Sequence, residues 1–423
     1  MADDDLELFS NIGLNAGATA GQTSTVGEPS VANNGDQILM TGNWYAARST
    51  DRGSTWAHMN PSTYFPSVDG GFCCDQTVVY DHSRDITIWL LQYIKQSGTN
   101  TLRVAVKNGP TLANNAWHWY DFKPDQVNGN WAGEWFDYNH VALSNSFLYV
   151  GTNVFSAAND TFTRAVVMRL PLDALANAQG FGFNYFSTTQ NGSLRCTQGG
   201  TDRMYFASHN NLSEIRLWEW PENSTTLQVW DIGVSLWSGG PYSAPANSGG
   251  DFMGRTDGRI TGGWVGKGQI GFMWTAAAMG SRTMPHIRVA RIDETTKNLI
   301  DEPDIWNTRF AFAYPDVCPN DRGDIGVSML VGGGPFALSP VVGMRNDADT
   351  NWRLRAPIFG TDMPAGGNAG DYTTVRRHSP GGLTWLAAGY SLQGGSGRAN
   401  VQPRVVHFGR KGFTPAAKRW FGV

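Results

Sequence analysis

The sequence predicts an all-β protein, a seven-bladed β-propeller that closes by pairing its N- and C-terminal strands. Three observations carry this prediction. The composition is poor in charge but rich in glycine and aromatic residues; an acidic residue followed by a β-type run recurs seven times; and the last repeat lacks one strand, which the N-terminus can supply. We expect a single domain spanning residues 1–423.

The composition favours short strands joined by turns. Charged residues make up 16% of the 423 residues, 51 residues are Gly, and aromatic residues reach 12%. Exposed helices use Glu, Lys and Ala and tolerate little Gly, so the composition disfavours a helical fold. The apolar and aromatic content is large enough to offset the entropy of ordering, which excludes a disordered chain.

Charge and hydropathy exclude two kinds of partner. The formal net charge is −4 and no run of Lys and Arg exceeds two residues, so we expect no nucleic-acid binding. No uninterrupted apolar run approaches the length of a membrane-spanning helix, so we expect no membrane span. The acidic N-terminus lacks the apolar region of a signal peptide.

A sevenfold repeat is the main evidence for the blades. The acidic residues that open a β-type run are Glu28, Asp75, Asp137, Asp202, Asp257, Asp324 and Asp371. Successive starts are 47 to 67 residues apart, the length of one four-stranded sheet with its loops. Four-stranded sheets repeated radially form a β-propeller.

The segments within each repeat resemble one another. After Asp75 come the strand-like runs DITIWLLQY, TLRVAVKNG and AWHWYDF, separated by turn residues. The seventh repeat shows three such runs, and residues 6–14 (LELFSNIGL) form an unassigned strand before the first repeat. We expect this segment to complete the seventh blade, because pairing the chain ends removes an exposed sheet edge.

The four cysteines leave two interpretations open. Adjacent Cys73 and Cys74 could form a disulfide and Cys196 could pair with Cys318, or all four could be free or buried thiols. Disulfides would favour an oxidising compartment, and on this basis we expect an extracellular or cell-surface location. No spacing of Cys and His predicts a zinc site.

One local motif is more specific than the repeat. Residues 49–56 read STDRGSTW, in which Asp51 can accept backbone N–H groups within a turn, Gly53 can supply a positive φ, and Trp56 can pack beneath. The string resembles the Asp-box, which in sialidase-like propellers closes the hairpin between the third and fourth strands of a blade. Its position between WYAARST and STWAHM matches that placement.

The sequence is thus similar to the sialidase-like (Asp-box, BNR-repeat) propeller superfamily, but not to a typical sialidase. This resemblance implies a propeller fold. The superfamily includes sialidases, other glycoside hydrolases, uronate-cleaving lyases and non-enzymatic members. Sialidases carry an Arg on the first inner strand that grips the substrate carboxylate. Glu28 stands in the corresponding stretch GEPSV and would repel such a substrate.

We expect the functional site at the mouth of the central channel, where the inner strands begin and loops from all blades meet. A ring of acidic side chains there could act in catalysis or recruit a cation such as calcium; alternatively, each acid could bind backbone N–H groups or a neighbouring Arg in a structural role. Candidate catalytic residues are Glu28, Asp75, Asp137, Tyr138, His140, Asp257, Asp324, Asp371 and Tyr372. Candidate substrate-binding residues are Arg203, Arg255, Arg259, Arg322 and Arg376.

Two classes of function follow. The first is a glycoside hydrolase that uses paired carboxyl groups on a glycan or polysaccharide, with uronate β-elimination by His or Tyr beside Arg as another chemistry. His209, near Glu214 and Arg216, is a further proton-transfer candidate, and aromatic residues such as Trp44 and Trp135 could stack on sugar rings. The second class is a non-catalytic glycan-binding or structural propeller of a secreted or surface assembly.

Overall fold

The computed structural model describes residues 5–114, 116–346, 349 and 351–413, and within these ranges the chain forms seven four-stranded antiparallel sheets. Strand β1 (Leu6–Gly13) is followed by blade 1, with β2 (Ser30–Asn34), β3 (Gln37–Gly42), β4 (Tyr45–Ser49) and β5 (Ala57–Met59). Blade 2 contains β6 (Phe72–Asp81), β7 (Ile86–Tyr93), β8 (Leu102–Asn108) and β9 (Trp117–Phe122). Blade 3 contains β10 (Glu134–Leu143), β11 (Phe147–Ser156), β12 (Phe162–Pro171) and β13 (Asn184–Thr188).

The remaining blades repeat this order. Blade 4 contains β14 (Arg195–Cys196), β15 (Arg203–Asn211), β16 (Glu214–Pro221) and β17 (Gln228–Gly233). Blade 5 contains β18 (Ile260–Gly266), β19 (Gln269–Ala276), β20 (His286–Asp293) and β21 (Leu299–Asp301). Blade 6 contains β22 (Ala311–Pro319), β23 (Ile325–Gly333), β24 (Phe336–Arg345) and β25 (Arg353–Arg355), and blade 7 contains β26 (Thr374–Arg377), β27 (Trp385–Leu392) and β28 (Val401–Arg410).

Helical segments are short and lie between strands. They are α1 (Ala16–Thr19), α2 (Pro124–Val127), α3 (Leu172–Ala176) and a 3₁₀ turn at Arg398–Asn400. None of the helices in the described ranges has the length and apolar character needed to cross a bilayer.

The seventh blade closes the ring as the sequence predicted. Strand β1 pairs antiparallel with β28, from Leu6 opposite Arg410 to Gly13 opposite Arg404, and supplies the outermost strand. The predicted seven-bladed propeller with paired chain ends is therefore confirmed. The pairing satisfies an edge of β28 that would otherwise expose its backbone groups to other chains.

The hydrophobic core lies between neighbouring blades. Strands in the middle of a blade are covered on both faces, so β7 is buried along its whole length and reads ITIWLLQY rather than as a clean alternation. Close packing leaves no room for side chains at some positions. A Cβ at Gly271 would lie 2.0 Å from the Trp264 ring, so only Gly fits there.

The STDRGSTW turn lies between β4 and β5, as expected for the third and fourth strands of a blade. Asp51 accepts from the Thr55 backbone N–H at 2.8 Å and from the Thr55 hydroxyl at 2.6 Å. Ser49 Oγ donates to Asp51 at 2.8 Å and accepts from the Gly53 N–H at 2.7 Å. Gly53 has φ +87°, and the Trp56 indole N–H donates to its carbonyl at 3.0 Å. The turn is thus held by its own polar atoms.

Two of the seven predicted blade starts are wrong. Asp202 and Asp324 precede β15 and β23, the second strands of blades 4 and 6, whereas the inner strands are β14 and β22. Because adjacent strands are antiparallel, the start of a second strand lies at the opposite end of the channel from the start of an inner strand. An Asp at a tight turn before a β-type run looks the same in both places, which is why the local pattern misassigned them.

Candidate functional site

A cavity of about 970 Å³ opens at the end of the channel where the inner strands begin. Of the residues predicted from sequence, it is lined by Glu28, Asp75, Asp137, Tyr138, Asp257, Asp371, Arg255 and Arg259. The acids Asp371, Glu28, Asp75 and Asp137 come from blades 7, 1, 2 and 3, which are consecutive around the closed ring. They therefore form an arc, which we call the acid arc, and Arg255, Asp257 and Arg259 face it from the segment that enters blade 5.

Backbone irregularities position the acid arc. The ladder register shifts between Phe72 and Gln76 in β6 and between Asp137 and His140 in β10. Within these bulges Cys74 and Tyr138 have φ of 46° and 57°, in the left-handed region that non-glycine residues seldom adopt. Bulges re-aim side chains and are frequent beside functional sites. Here they allow Asp75 and Asp137 to line the mouth while the rest of each strand continues into the blade.

Glu28 and Asp75 form a carboxyl pair at the centre of the acid arc. Their side chains are hydrogen-bonded to each other, and Glu28 Oε1 accepts the Asp371 backbone N–H at 3.0 Å. Glu28 is only 3% exposed. Burial and the neighbouring Asp75 and Asp371 carboxylates raise the pKa of Glu28 well above its ordinary value. Burial and the Asp137 and Asp371 carboxylates raise the pKa of Asp75 to about 7, so the pair holds a proton near neutral pH.

Asp137 is held on the other side of Asp75. Its Oδ1 accepts from Gln92 Nε2 at 2.9 Å, and the Tyr138 backbone N–H also donates to its carboxylate. Burial raises the pKa of Asp137, and these two hydrogen bonds act in the opposite direction. Gln92 in turn accepts from the Asn139 amide. This chain of amide contacts fixes the orientation of the carboxylate.

Both arginines of the cavity have acidic partners. Arg255 lies 3.4 Å from Asp371, and Arg259 Nε lies 2.8 Å and 2.7 Å from the two oxygens of Asp257. The Arg259 guanidinium also sits 4.2 Å from the centre of the Tyr138 ring. Burial raises the pKa of Tyr138 to about 12, so its hydroxyl stays protonated.

Aromatic side chains complete the walls. Trp44, Trp135, Phe155 and Trp237 line the cavity, and Trp44 is 40% exposed. The His209 ring also lines it and packs against Trp237 and Trp274, with centroids 4.7 Å and 4.9 Å away. Burial lowers the pKa of His209 to about 4, which leaves the imidazole neutral at physiological pH.

The cysteines separate into two kinds. Cys73 and Cys74 form a disulfide that lines the cavity directly beside Asp75. Cys196 and Cys318 are free and buried, so of the two interpretations left open by the sequence, free buried thiols hold for this pair. They lie on the inner strands of blades 4 and 6, which are not neighbours in the ring. Burial raises the pKa of the two thiols to about 12 and about 11, respectively.

Three predicted site residues instead belong to the floor beneath the cavity. His140 accepts the Cys196 backbone N–H at 3.1 Å, and burial lowers its pKa well below the usual value. The Tyr372 hydroxyl donates to the Gln76 carbonyl at 3.2 Å. Arg376 pairs with the buried Asp316 at 3.0 Å. His140 does not join Tyr138 at the cavity, because the bulge at Tyr138 interrupts the alternation of side chains along β10.

The floor joins blades across the channel. Asp316 in blade 6 also binds Arg195 of blade 4 at 2.6 Å and the Val375 N–H of blade 7 at 2.9 Å. Blades 4 and 6 are not adjacent, and neither are blades 7 and 2, which the Tyr372–Gln76 contact connects. These contacts must cross the channel, so they close it below the cavity.

The other predicted site residues lie at the far end of the channel. Asp324 is 3.3 Å from Lys267 Nζ and 3.9 Å from Arg322 Nε. Arg203 pairs with Asp202 at 3.0 Å and with Glu219 at 2.7 Å. Their assignment to the mouth followed from the misplaced starts of blades 4 and 6, and it is wrong.

The described residues contain no grouping of three or more His, Cys, Asp or Glu side chains suited to hold a metal ion. In the acid arc, Glu28 and Asp75 are hydrogen-bonded to each other and Asp371 is paired with Arg255. These contacts take up several of the carboxylate oxygens that a calcium ion would need as ligands.

Several cavity residues had no signal in the sequence. Trp237 comes from the long segment between blades 4 and 5, while Gln92 and Asn153 lie at the ends of second strands. They form hydrogen bonds with residues of neighbouring blades. For example, the Ser193 N–H, just before blade 4, donates to Asn153 Oδ1 of blade 3 at 2.7 Å. No local motif marks such residues, and only ring closure brings them to the mouth.

No protein-family model matches the chain, and no curated protein matches it. Among solved structures, the chain is similar to an α-L-arabinofuranosidase of Fusarium graminearum at 9% identity and a TM-score of 0.48, covering 95% of this chain and 97% of that one. It is also similar to an α-L-arabinanase of Penicillium chrysogenum (11%, 0.44, 94% and 98%) and to the NanB sialidase of Streptococcus pneumoniae (10%, 0.45, 83% and 69%). Likeness at this level does not bear on activity.

The class of protein follows from the chain itself. It is a seven-bladed β-propeller with an acid-lined cavity at the mouth and a polar turn between the third and fourth strands of blade 1. The propeller fold that the sequence resemblance implied is thereby confirmed.

Proposed function

We propose that this protein is a carbohydrate-active propeller that hydrolyses glycosidic bonds in the acid-lined cavity. The observation that carries the proposal is the Glu28–Asp75 pair: two hydrogen-bonded carboxyl groups with raised pKa values, beside further carboxylates in a cavity large enough for a sugar. Glycoside hydrolysis needs one carboxyl group that stays protonated and another that is ionised.

Glu28 is the proton donor in this mechanism. Its proton goes to the glycosidic oxygen as the bond from that oxygen to the anomeric carbon breaks, and the pair is left with one more negative charge. Asp137 or Asp371 supplies the second carboxylate. It either takes a proton from the water that attacks the anomeric carbon, or attacks that carbon itself and forms a glycosyl ester, which water then hydrolyses while the ionised Glu28 takes the proton of the water. Asp75 is too close to Glu28 to act across the bond and instead tunes the acidity of the donor.

The charge of the cavity favours a neutral glycan. Five acidic residues line it, against two arginines that already have carboxylate partners. A sialic acid or a uronate would meet repulsion without a free guanidinium to bind it. Uronate β-elimination is disfavoured for the same reason, and because His140 is buried beneath the cavity.

Glycan binding without catalysis is the alternative function, and the exposed Trp44 face in the cavity favours it. For either function an extracellular or cell-surface location is part of the proposal. It is supported by the Cys73–Cys74 disulfide, which persists most readily in an oxidising compartment.

The test is a product screen on neutral and acidic polysaccharides with the wild-type protein, Glu28→Gln and Asp324→Asn. Asp324 is a matched control because it is an acidic residue at the far end of the channel. We expect new reducing ends from a neutral polysaccharide, their loss in Glu28→Gln and their retention in Asp324→Asn. Azide rescue of Asp137→Asn or Asp371→Asn identifies the second carboxylate. Binding on a glycan array without product from any polysaccharide would support the non-catalytic function instead.

A further inference from the structure

The cavity has one wall that the proposed hydrolysis does not use. The β3–β4 turn of blade 1 contributes Asn43 and Trp44, and the start of β6 in blade 2 contributes Cys73 and Cys74. Gln76 ties the two blades together, because its amide donates to the Gly42 carbonyl at 2.6 Å and the Tyr45 carbonyl at 3.2 Å. We call this surface the disulfide wall.

The disulfide wall is apolar and held in place from behind. The Trp44 ring packs edge-on against Phe72, with centroids 6.3 Å apart, and Phe72 directly precedes the disulfide. Phe72 itself is buried. An exposed indole face and a polarisable sulfur pair thus lie in the same cavity as the charged side chains of Arg255, Asp257 and Arg259, which face them from the segment that enters blade 5. Large apolar groups exposed in a cleft mark a binding surface.

We propose that the disulfide wall is a binding subsite for a neutral sugar ring, which lies with its C–H face on Trp44 and the Cys73–Cys74 disulfide. A sugar ring has an apolar face of C–H groups and a polar rim of hydroxyl groups. The wall complements the apolar face, and the carboxyl groups of the acid arc in the same cavity are acceptors for the rim. The next bond of the glycan then lies beside the Glu28–Asp75 pair, because Asp75 directly follows Cys74. This step, but not the subsite itself, rests on the proposed function.

The experiment is saturation-transfer NMR with four methyl glycosides: the neutral β-galactopyranoside, β-glucopyranoside and α-L-arabinofuranoside, and the anionic β-glucuronide. The variants are Trp44→Ala, the double variant Cys73→Ala/Cys74→Ala, and Trp306→Ala. Trp306 is a matched control, an indole 45% exposed that does not line the cavity. Circular dichroism verifies that each variant is folded, and reversible reduction of the wild-type protein tests the disulfide without substitution.

We expect at least one neutral glycoside to bind, with saturation greatest on its ring C–H protons. Binding should weaken about fivefold or more in Trp44→Ala and in the double variant and be unchanged in Trp306→Ala. Equal binding to wild-type protein and Trp44→Ala, stronger binding of the glucuronide, or binding of none of the four would overturn the subsite. Binding that depends on Trp44 without hydrolysis of any polysaccharide would leave the subsite standing and remove only the proposed activity.

Discussion

Replacing Asp75 by Asn should stabilise the protein, and the gain should grow with pH. Burial, together with the Asp137 and Asp371 carboxylates, raises the pKa of Asp75 from 3.8 to about 7. Between these two values the folded protein holds a proton that the unfolded chain has released. Stability therefore falls as the pH rises through this window, and an uncharged amide at position 75 removes the effect.

The expected size follows from the pKa difference between the folded and unfolded states. One pKa unit corresponds to about 1.4 kcal/mol, so the raised pKa destabilises the folded state by on the order of 4 kcal/mol at pH 8 and about 1.7 kcal/mol at pH 5. The gain in Asp75→Asn should thus grow by roughly 2.5 kcal/mol between these pH values. For 423 residues the unfolding entropy is about 0.9 kcal/mol/K, so the difference in Tm should grow by about 3 °C.

The assay is thermal unfolding of the wild-type protein, Asp75→Asn and Asp324→Asn in buffers from pH 5 to pH 8. Asp324 serves as the control because it is an acidic residue at the far end of the channel whose partners are Lys267 and Arg322 rather than other acids. A Tm difference for Asp75→Asn that is the same at both ends of the range would refute the raised pKa. So would a variant that is less stable than wild type at pH 8.

The remaining predictions concern the donor, the turn, the floor and the thiols. Glu28→Gln should lower the rate of hydrolysis by about 10²–10⁴-fold, and wild-type activity should fall at alkaline pH as Glu28 loses its proton. If the variant keeps its activity, the proton donor is a residue other than Glu28. Ser49→Ala leaves the buried Gly53 N–H without an acceptor and should lower the free energy of unfolding in urea by about 1–3 kcal/mol, whereas no change would mean that the turn does not depend on this bond. Asp316→Asn leaves two buried guanidinium groups without a counter-charge and should lower the free energy of unfolding by about 3–5 kcal/mol in the same assay. A decrease below about 1 kcal/mol, as for an exposed ion pair, would contradict the structural role of the floor. Ellman's reagent should label Cys196 and Cys318 only after unfolding, and labelling of the native protein would contradict their burial.

Local sequence patterns were sufficient to predict most of the architecture. Turn residues before β-type runs located the inner strands of blades 1, 2, 3, 5 and 7, because strand and turn preferences act over a few residues. The STDRGSTW string predicted that Asp51 accepts a backbone N–H and that Gly53 has a positive φ, since both features arise within one turn. The strand missing from blade 7 and the spare strand at residues 6–14 predicted closure of the ring.

The same patterns could not separate equivalent turns at opposite ends of the channel. Asp324 follows a tight turn in which its N–H donates to Asn320 Oδ1 at 3.0 Å, a local arrangement that any strand can have at its start. Whether such a strand is first or second in its blade depends on which neighbour it pairs with. Pairing is a long-range property, so two of the seven acids were assigned to the wrong end.

Local sequence patterns are enough to predict that the chain makes seven similar sheets and that acidic residues stand at the start of most inner strands. Long-range packing determines which groups meet, such as Glu28 with Asp75 and Arg255 with Asp371, and it places the Cys73–Cys74 disulfide and Trp44 in one cavity. It also removed His140 from the mouth, because a bulge at Tyr138 breaks the alternation of the strand. Strand and turn formation depends on neighbouring residues, whereas burial, shifted pKa values and a shared cavity arise only when the ring of blades closes.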